Sequence, residues 1–299
     1  MKSESTRPLV SVIIPTYNSE KFIPCSVASA INQTYPNIEI LIIDDGSTDN
    51  TKKVVQQLSN PTVRYIKQTN GGPSAARNNG MRQSNGQYIA FLDVDDAWEP
   101  SKVAEQVTFF ENGNNLSIVA TGYTRCDADL RPIESISLDT SLKGKGIISF
   151  RLLLEKNRMP TPSIMIKKEI LDQSGVFDEN IDFGEDWDLW VRIAQHGEIG
   201  YIQTPLCKIR VHNTGLTGKL SDKNMSDWLE VIERNRQRTN NWYDKTITYR
   251  KSLSWYFYNY SYLERERGEE VESKKKAIKS LIIWPFSTRT LRIIKGLFL

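Results

Sequence analysis

NIEILIIDDGSTDNTKKVVQQL, residues 37–58, decides the fold. Its first eight residues carry apolar side chains at 38 and 40–43, a near-continuous run rather than an alternation, as a strand covered on both faces requires. Asp44, Asp45 and Gly46 end the run. The residues that follow read as a turn into a helix, with Ser47, Thr48 or Asp49 available as N-cap. The same unit recurs on either side. Upstream, residues 9–14 are apolar apart from Ser11, Pro15 stops the run, and a helical stretch reaches Ala30. Downstream, VRYIKQ (63–68) leads into NGGPSAARNNG (70–80) and a helix, and then comes YIAFLD (88–93). Strands alternating with helices at this spacing predict an α/β fold with a Rossmann-like, mostly parallel sheet flanked by helices. Polar loops fall at the carboxyl ends of the strands, where such sheets bind ligands.

From about residue 100 to 205 the alternation weakens. WEPSKVAEQVTFF (98–110) reads as a helix, SIVATGYTRCD (117–127) and PSIMIKK (162–168) as strands, and EDWDLWVRIAQHG (185–197) as a helix. In the last, Trp187, Trp190, Val191 and Ala194 make one apolar face and Gly197 suits the C′ position. Glu185 and Asp186 then lie exposed in its first turn. Beyond about residue 222 the chain turns helical, aromatic and charged. Tyr249, Leu253, Tyr256, Tyr260 and Leu263 alternate steps of four and three, a seam for packing between helices. Ser273 to Leu299 holds seven Lys or Arg and no Asp or Glu, interleaved with apolar residues. Such a basic amphipathic tail either lies on an anionic membrane surface or docks on the globular domain.

The formal net charge of +3 with 25% charged residues lacks the basic excess of general nucleic-acid binders, so no nucleic-acid partner is expected. Cys25, Cys126 and Cys207 are far apart and odd in number, which suggests neither a disulfide framework nor a CxxC metal site. A reducing cytoplasm is the expected compartment, with peripheral attachment to the inner face of the membrane if the tail binds lipid. The apolar runs at 9–14 and 281–284 are far shorter than the ~20 residues a spanning helix needs.

The chemistry concentrates where AFLDVDDAWEP (90–100) places Asp93, Asp95 and Asp96 at the end of a buried strand. Asp95 or Asp96 has a plain structural use, capping the helix that follows. Carboxylates that share a site are otherwise stabilised by a divalent cation, and hard oxygen ligands with room for phosphate select Mg²⁺ or Mn²⁺. Asp44 or Asp45 is placed to accept from a nucleobase N–H or a ribose hydroxyl, although DGSTD equally suits a capped turn. In NGGPSAARNNG the glycines, Gly72 among them, let backbone approach a ligand, and Arg77 offers a fixed positive fork. The P-loop pattern GxxxxGK[ST] is absent, so phosphate has to be held by metal and side chains.

VSVIIPTYN, ILIIDDGSTDNT, NGGPSAARNNG, YIAFLDVDDAW and GEDWDLWVRIA, in this order, resemble the family 2 glycosyltransferases of GT-A fold over residues 9–215. The resemblance implies inverting transfer of a sugar from a nucleotide-diphosphate donor, UDP-, dTDP- or GDP-linked, to a glycan or lipid-linked acceptor. It implies a GT-A domain over 1–220, with a nucleotide half at about 9–100 and an acceptor half at about 101–220; the residues beyond it read by their own pattern as a helical extension over 221–299. It places Pro15, Thr16, Tyr17 and Asn18 around the base, with Asp44 and Asp45 as base- or ribose-binding acids, Asp45 the better match. Gly72, Arg77 and Asp93 fall near the nucleotide. Asp93-Val94-Asp95 matches the DxD element, whose last aspartate is the principal metal ligand, and Asp186 matches the catalytic base, with Glu185 the second candidate. RVHNTGLTGK (210–219) resembles the loop after the last strand, where His212 helps hold metal or diphosphate. Inverting transfer needs one base for the acceptor hydroxyl and one electrophile for the departing diphosphate, two roles that two separated acid clusters can divide. A nucleotidyltransferase is the competing enzyme class, and IIPTYNSEK lacks its Gly-rich basic loop. A non-catalytic glycan- or nucleotide-sugar-binding module has no need of the acids at 93, 95 and 186.

Overall fold

The computed structural model of the chain describes residues 7–138, 146–212 and 221–286. They fall into two compact units. The first contains residues up to 150 with 158–180 and 192–215, and the second is assembled from 151–157, 181–191 and the chain beyond 216.

In the first unit β1 (Val10–Thr16) lies between β2 (Ile38–Asp44) and β4 (Tyr88–Phe91), parallel to both, and β3 (Val63–Lys67) extends the sheet beyond β2. Val10, Val12, Ile13 and Ile14 are fully buried, and each such side chain contributes roughly 1.5–3 kcal/mol on leaving water. Pro15 does not stop β1: it pairs in register with Ile43, and the strand runs on to Thr16. The reason lies on the other side. The Ile13 carbonyl points to β4, accepting from Leu92, so two residues on, the missing proline N–H falls where β4 has already ended.

Helices α1 (Ile23–Ile31), α2 (Thr51–Leu58) and α3 (Gly72–Gln83) connect these strands. A Cβ on Gly80 would sit 2.5 Å from Ile13 Cγ2, so glycine is what lets α3 approach β1. None of the three expected residues occupies the N-cap of α2, which is Asn50. Asp49 nevertheless accepts the Thr51 N–H at 3.0 Å.

The remaining strands make the sheet mixed while leaving the long ladders parallel. β9 (Met165–Lys167) pairs antiparallel with both β4 and β6 (Leu116–Cys126), and β10 (Glu198–Arg210) runs parallel to β6. Two reversals restore direction, so the carboxyl end of β10 emerges at the same edge as that of β4. β5 (Ala97–Trp98), β7 (Pro132–Ile136) and β8 (Ile147–Ile148) are short antiparallel additions. The expected helix at 98–110 therefore begins as a strand, and α4 covers Lys102–Asn112 with Ser101 as N-cap. The expected strand at 162–168 shrinks to β9, because a 3₁₀ turn occupies 161–163.

The second unit holds α5 (Phe150–Glu155, from residue 151), most of α7 (Glu185–Ile193), α8 (Asp222–Gln237), α9 (Tyr249–Glu266) and α10 (Glu270–Ile283); α6 (Leu171–Ser174) belongs to the first. Of the α9 seam, Tyr256 and Leu263 are buried and Tyr249, Leu253 and Tyr260 half-buried. A second face is buried too, because serines let α10 come close: Ser254 Oγ donates to the Ser280 carbonyl at 3.0 Å and Ser273 Oγ to that of Ser261 at 2.7 Å. α7 ends at Ile193, before Gly197 can serve as its C′ residue. Gly197 is required for another reason, since a Cβ there would lie 2.7 Å from the Asn115 carbonyl oxygen.

Candidate active site

At the carboxyl end of β1 the turn after Thr16 is locked to the turn after β2. Asn18, at φ 47°, accepts from Thr48 N–H at 2.8 Å and donates its own N–H to Ser47 Oγ at 2.9 Å. Ser19 N–H reaches Thr51 Oγ1 at 3.0 Å and Glu20 N–H reaches Asp49 at 3.1 Å. Tyr17 stands exposed above this knot, whereas Thr16 is buried and its Oγ1 has no hydrogen-bond partner.

The acid pair is already engaged within the protein. Asp44 accepts from Ser47 N–H at 2.7 Å and from the Tyr65 hydroxyl. That carboxylate, together with burial as the larger cause, pushes the Tyr65 phenol above the usual tyrosine range. Asp45 accepts from Gln68 Nε2, Gly71 N–H and Gly72 N–H, all at 2.8 Å. The last two are donors at the start of α3, so Asp45 fills the anion position that a helix N-terminus offers. Gly72 is needed there for its φ of +88°. Three of the roughly four acceptor positions of the Asp45 carboxylate are thus taken.

The acids after β4 separate into three environments. Asp93 Oδ1 accepts from Arg77 Nη2 at 2.8 Å, and the buried guanidinium lies 5.5 Å from the Phe177 ring centroid. Asp95 Oδ2 lies 2.9 Å from His212 Nε2, and its backbone carbonyl accepts from Arg210 Nε at 2.7 Å. Asp96 is buried and accepts the Arg210 N–H at 2.8 Å. Burial, then the neighbouring Asp95 and Asp93 charges, raise its carboxyl well above the usual range, against the Arg210 N–H and charge. Neither Asp95 nor Asp96 caps α4: the chain passes through β5 first, and Asp96 instead ties this turn to β10.

Asp95 and His212 are brought together as expected, and Asp93 is turned toward Arg77. Among the described residues no group of three or more His, Cys, Asp or Glu could hold a metal ion, so the expected trio of Asp93, Asp95 and His212 is not preassembled. The pair still fits a small divalent cation. Adjacent ligands of an octahedral ion bound at about 2.1 Å lie about 3 Å apart, and such ions keep open positions for substrate phosphate. Residues 213–219 of the last loop lie outside the described residues.

Glu185 and Asp186 belong to the second unit, in the first turn of α7, and are half-buried rather than exposed. Asp186 accepts from Asn157 Nδ2 at 2.9 Å and from Trp187 N–H at 2.6 Å. Sequence reasoning missed Asn157, Gln68, Tyr65 and Arg210. Only Arg210 carried a signal, as the residue two before His212. It also missed Asp188, which is buried and paired with Arg238 at 2.8 Å and Arg234 at 3.8 Å.

Residues 11–175, more than half of the chain, match the family described as Glycosyl transferase family 2. The chain belongs to glycosyl transferase family 2. Among curated members, it is 32% identical over 235 residues to the putative teichuronic acid biosynthesis glycosyltransferase TuaG of Bacillus subtilis, covering 77% of this chain and 90% of that protein. It is 35% identical over 209 residues to an uncharacterized glycosyltransferase of Rickettsia bellii, covering 70% of this chain but only 29% of that protein. In a second Rickettsia relative, from Rickettsia felis, it covers 36%. Two solved structures share the fold. Mannosyltransferase PcManGT from Pyrobaculum calidifontis, in complex with GDP-Man and Mn²⁺, gives a TM-score of 0.65 at 17% identity, over 99% of this chain and 81% of that one. Staphylococcus aureus TarS 1–349 with UDP-GlcNAc gives 0.64 at 16%, over 92% and 91%. The architecture is accordingly the GT-A fold.

Proposed function

We propose that this family member is an inverting glycosyltransferase that moves a sugar from a nucleotide-diphosphate donor to a hydroxyl of a glycan or lipid-linked acceptor. The observation that carries this reading is the Asp95–His212 pair, 2.9 Å apart at the edge where β1, β2 and β4 also end. Residues 9–100 hold the nucleotide. Pro15, Thr16, Tyr17 and Asn18 form a rigid wall for the base, with Tyr17 and Asn18 exposed on it and Thr16 buried behind them. Asp45 has one acceptor position left for a base N–H or a ribose hydroxyl; Asp44, more deeply engaged, orients the turn. Gly72 lets the backbone close over Asp45, and Arg77 fixes Asp93 toward the ribose or the cation.

Asp95 and His212 would hold Mn²⁺ or Mg²⁺, which would supply positive charge to offset that of the departing diphosphate. Asp186 accepts the proton of the attacking hydroxyl, with Glu185 its alternate. The acceptor half is 101–220, extended by the helices α8, α9 and α10. No described helix is long and apolar enough to cross a membrane. α10, however, shows Val271, Ile278 and Ile282 to solvent, followed by exposed Phe286, with Lys274 and Lys275 beside them. An anionic lipid surface fits that face. Replacing Ile278 and Ile282 by Asp should abolish co-sedimentation with phosphatidylglycerol vesicles; unchanged sedimentation would remove the membrane from the scheme.

The deciding experiment measures nucleoside diphosphate released from UDP-GlcNAc, UDP-glucose, dTDP-glucose and GDP-mannose with Mn²⁺. Release from at least one donor, lost in Asp95→Ala and on chelation, is expected. Metal-independent release, or release unaffected by Asp95→Ala, sinks the reading.

A further inference from the structure

The segment 151–157 grips the start of α7 at two points. The Leu153 carbonyl accepts the Trp187 indole N–H at 2.6 Å, and Asn157 Nδ2 donates to Asp186 Oδ2 at 2.9 Å. Asp186 Oδ1 accepts the Trp187 N–H, so the residue whose indole is pinned by α5 also holds the second carboxylate oxygen. All of these groups lie in the second unit. The segment is itself braced there: Arg151 Nε donates to Asp244 at 2.5 Å, Glu155 pairs with Lys251 at 3.6 Å, and the Lys156 ammonium lies 3.7 Å from the Trp255 ring centroid.

A carboxylate with one oxygen held by a neutral amide keeps a fixed plane, and the amide favours the ionised form without a counter-charge. A cation in that place would favour ionisation more strongly and weaken the base. Among the charged groups of these elements, Asp188 on α7 pairs with Arg238 and Arg234, Arg151, Glu155 and Lys156 are braced as above, Glu185 is the acid beside it, and Arg158 directly follows Asn157. We propose that Asn157 is a positioning residue for Asp186, holding Oδ2 so that the carboxylate keeps one orientation toward the acceptor hydroxyl. This rests on the reading of Asp186 as the base.

The test compares Asn157→Ala, Asn157→Asp and Asn157→Gln with Asp186→Asn in the full chain. Two measurements are made: ¹³Cγ NMR titration of Asp186, assigned through Asp186→Asn, and the pH profile of nucleoside diphosphate release from the donor that turns over. With Asn157→Ala, the Asp186 titration and the acid limb of the profile should move up by about one pH unit. Release should fall by between about tenfold and a hundredfold. Asn157→Asp should move both further up, Asn157→Gln should restore part of the loss, and UDP affinity should be unchanged in all three. An Asp186 titration that stays in place in both Asn157→Ala and Asn157→Asp overturns the proposal. Full release by Asp186→Asn would overturn the base assignment instead. The NMR titration needs no turnover and judges the Asn157 contact by itself.

Discussion

Lys102 has no exposed surface, yet it carries an ammonium into the core beneath β5. Its Nζ donates to Gln106 Oε1 at 2.7 Å and lies 4.0 Å from the Trp98 ring centroid. Burial drives its pKa down from 10.5 to about 8, which the neighbouring Cys207 only slightly opposes. Between those values the unfolded chain binds the proton and the folded chain releases it, so stability rises with pH across this window. The rise amounts to about 3 kcal/mol, and at neutral pH the folded protein bears that cost in full. Lys102→Met keeps the length and removes the charge. Stranding Gln106 Oε1 gives back about 1 kcal/mol, which leaves the variant about 2 kcal/mol more stable at pH 7 and several degrees higher in Tm. Urea unfolding of both proteins from pH 7 to 10 checks this. The advantage of Lys102→Met should shrink steadily above pH 8 and vanish or reverse by pH 10. A difference that is flat in pH refutes the argument, because the lysine would then titrate alike in both states.

Gly80→Ala gains at most about 1 kcal/mol of helix propensity but drives a methyl to 2.5 Å from Ile13 Cγ2; overpacking wins, and urea unfolding should show a net loss of about 1–2 kcal/mol. Asp188→Asn breaks a buried ion pair. Because Arg234 and Arg238 keep partial access to water, the loss in unfolding free energy should fall near the lower end, about 3 kcal/mol. Thr16→Val removes a buried hydroxyl without a partner, so urea unfolding should show stability held or raised. Under the proposed metal role, His212→Gln should weaken Mn²⁺ affinity several-fold in calorimetry, and an unchanged affinity would remove His212 from the cation site.

The parallel core was legible because β1 and β2 are near-continuous apolar runs, while β3, half-buried, was marked by the recurring strand-and-helix spacing; residues 10–16, 38–44 and 63–67 appear almost as the runs read. What escaped depends on partners distant in sequence. Pro15 reads as a stop, and only the early end of β4 shows why the strand continues. Asp44 and Asp45 read as ligand groups because, Ser47 apart, their protein donors lie more than 20 residues on: Tyr65 in β3, Gln68 and Gly71 after it, and Gly72 at the start of α3. The capping role offered to Asp95 and Asp96 failed for the same reason: β5 intervenes, and Arg210 reaches Asp96 from β10. Asp188 is buried on a helix whose surroundings only Arg234 of α8 and Arg238, just past its end, reveal. The acids at 93, 95 and 186 were visible as types and positions, whereas their orienting groups, Arg77, His212 and Asn157, include one that no pattern marked.

The unit that contains Asp186 is stitched from three stretches of chain, and the family match at 11–175 ends before two of them. Gly184 packs near Val231, Phe183 meets Trp228, and Asp188 is neutralised by Arg234 and Arg238. A recombinant hybrid joined at residue 220 would thus separate the acid-bearing helix from the side chains it grew up with. Exchange between relatives should succeed only when 151–157, 181–191 and the helices after 221 travel as one cassette. Under the proposed division of roles, drift in the C-terminal helices becomes a route by which a descendant of this gene could change its acceptor while the edge proposed for the donor stays as it is.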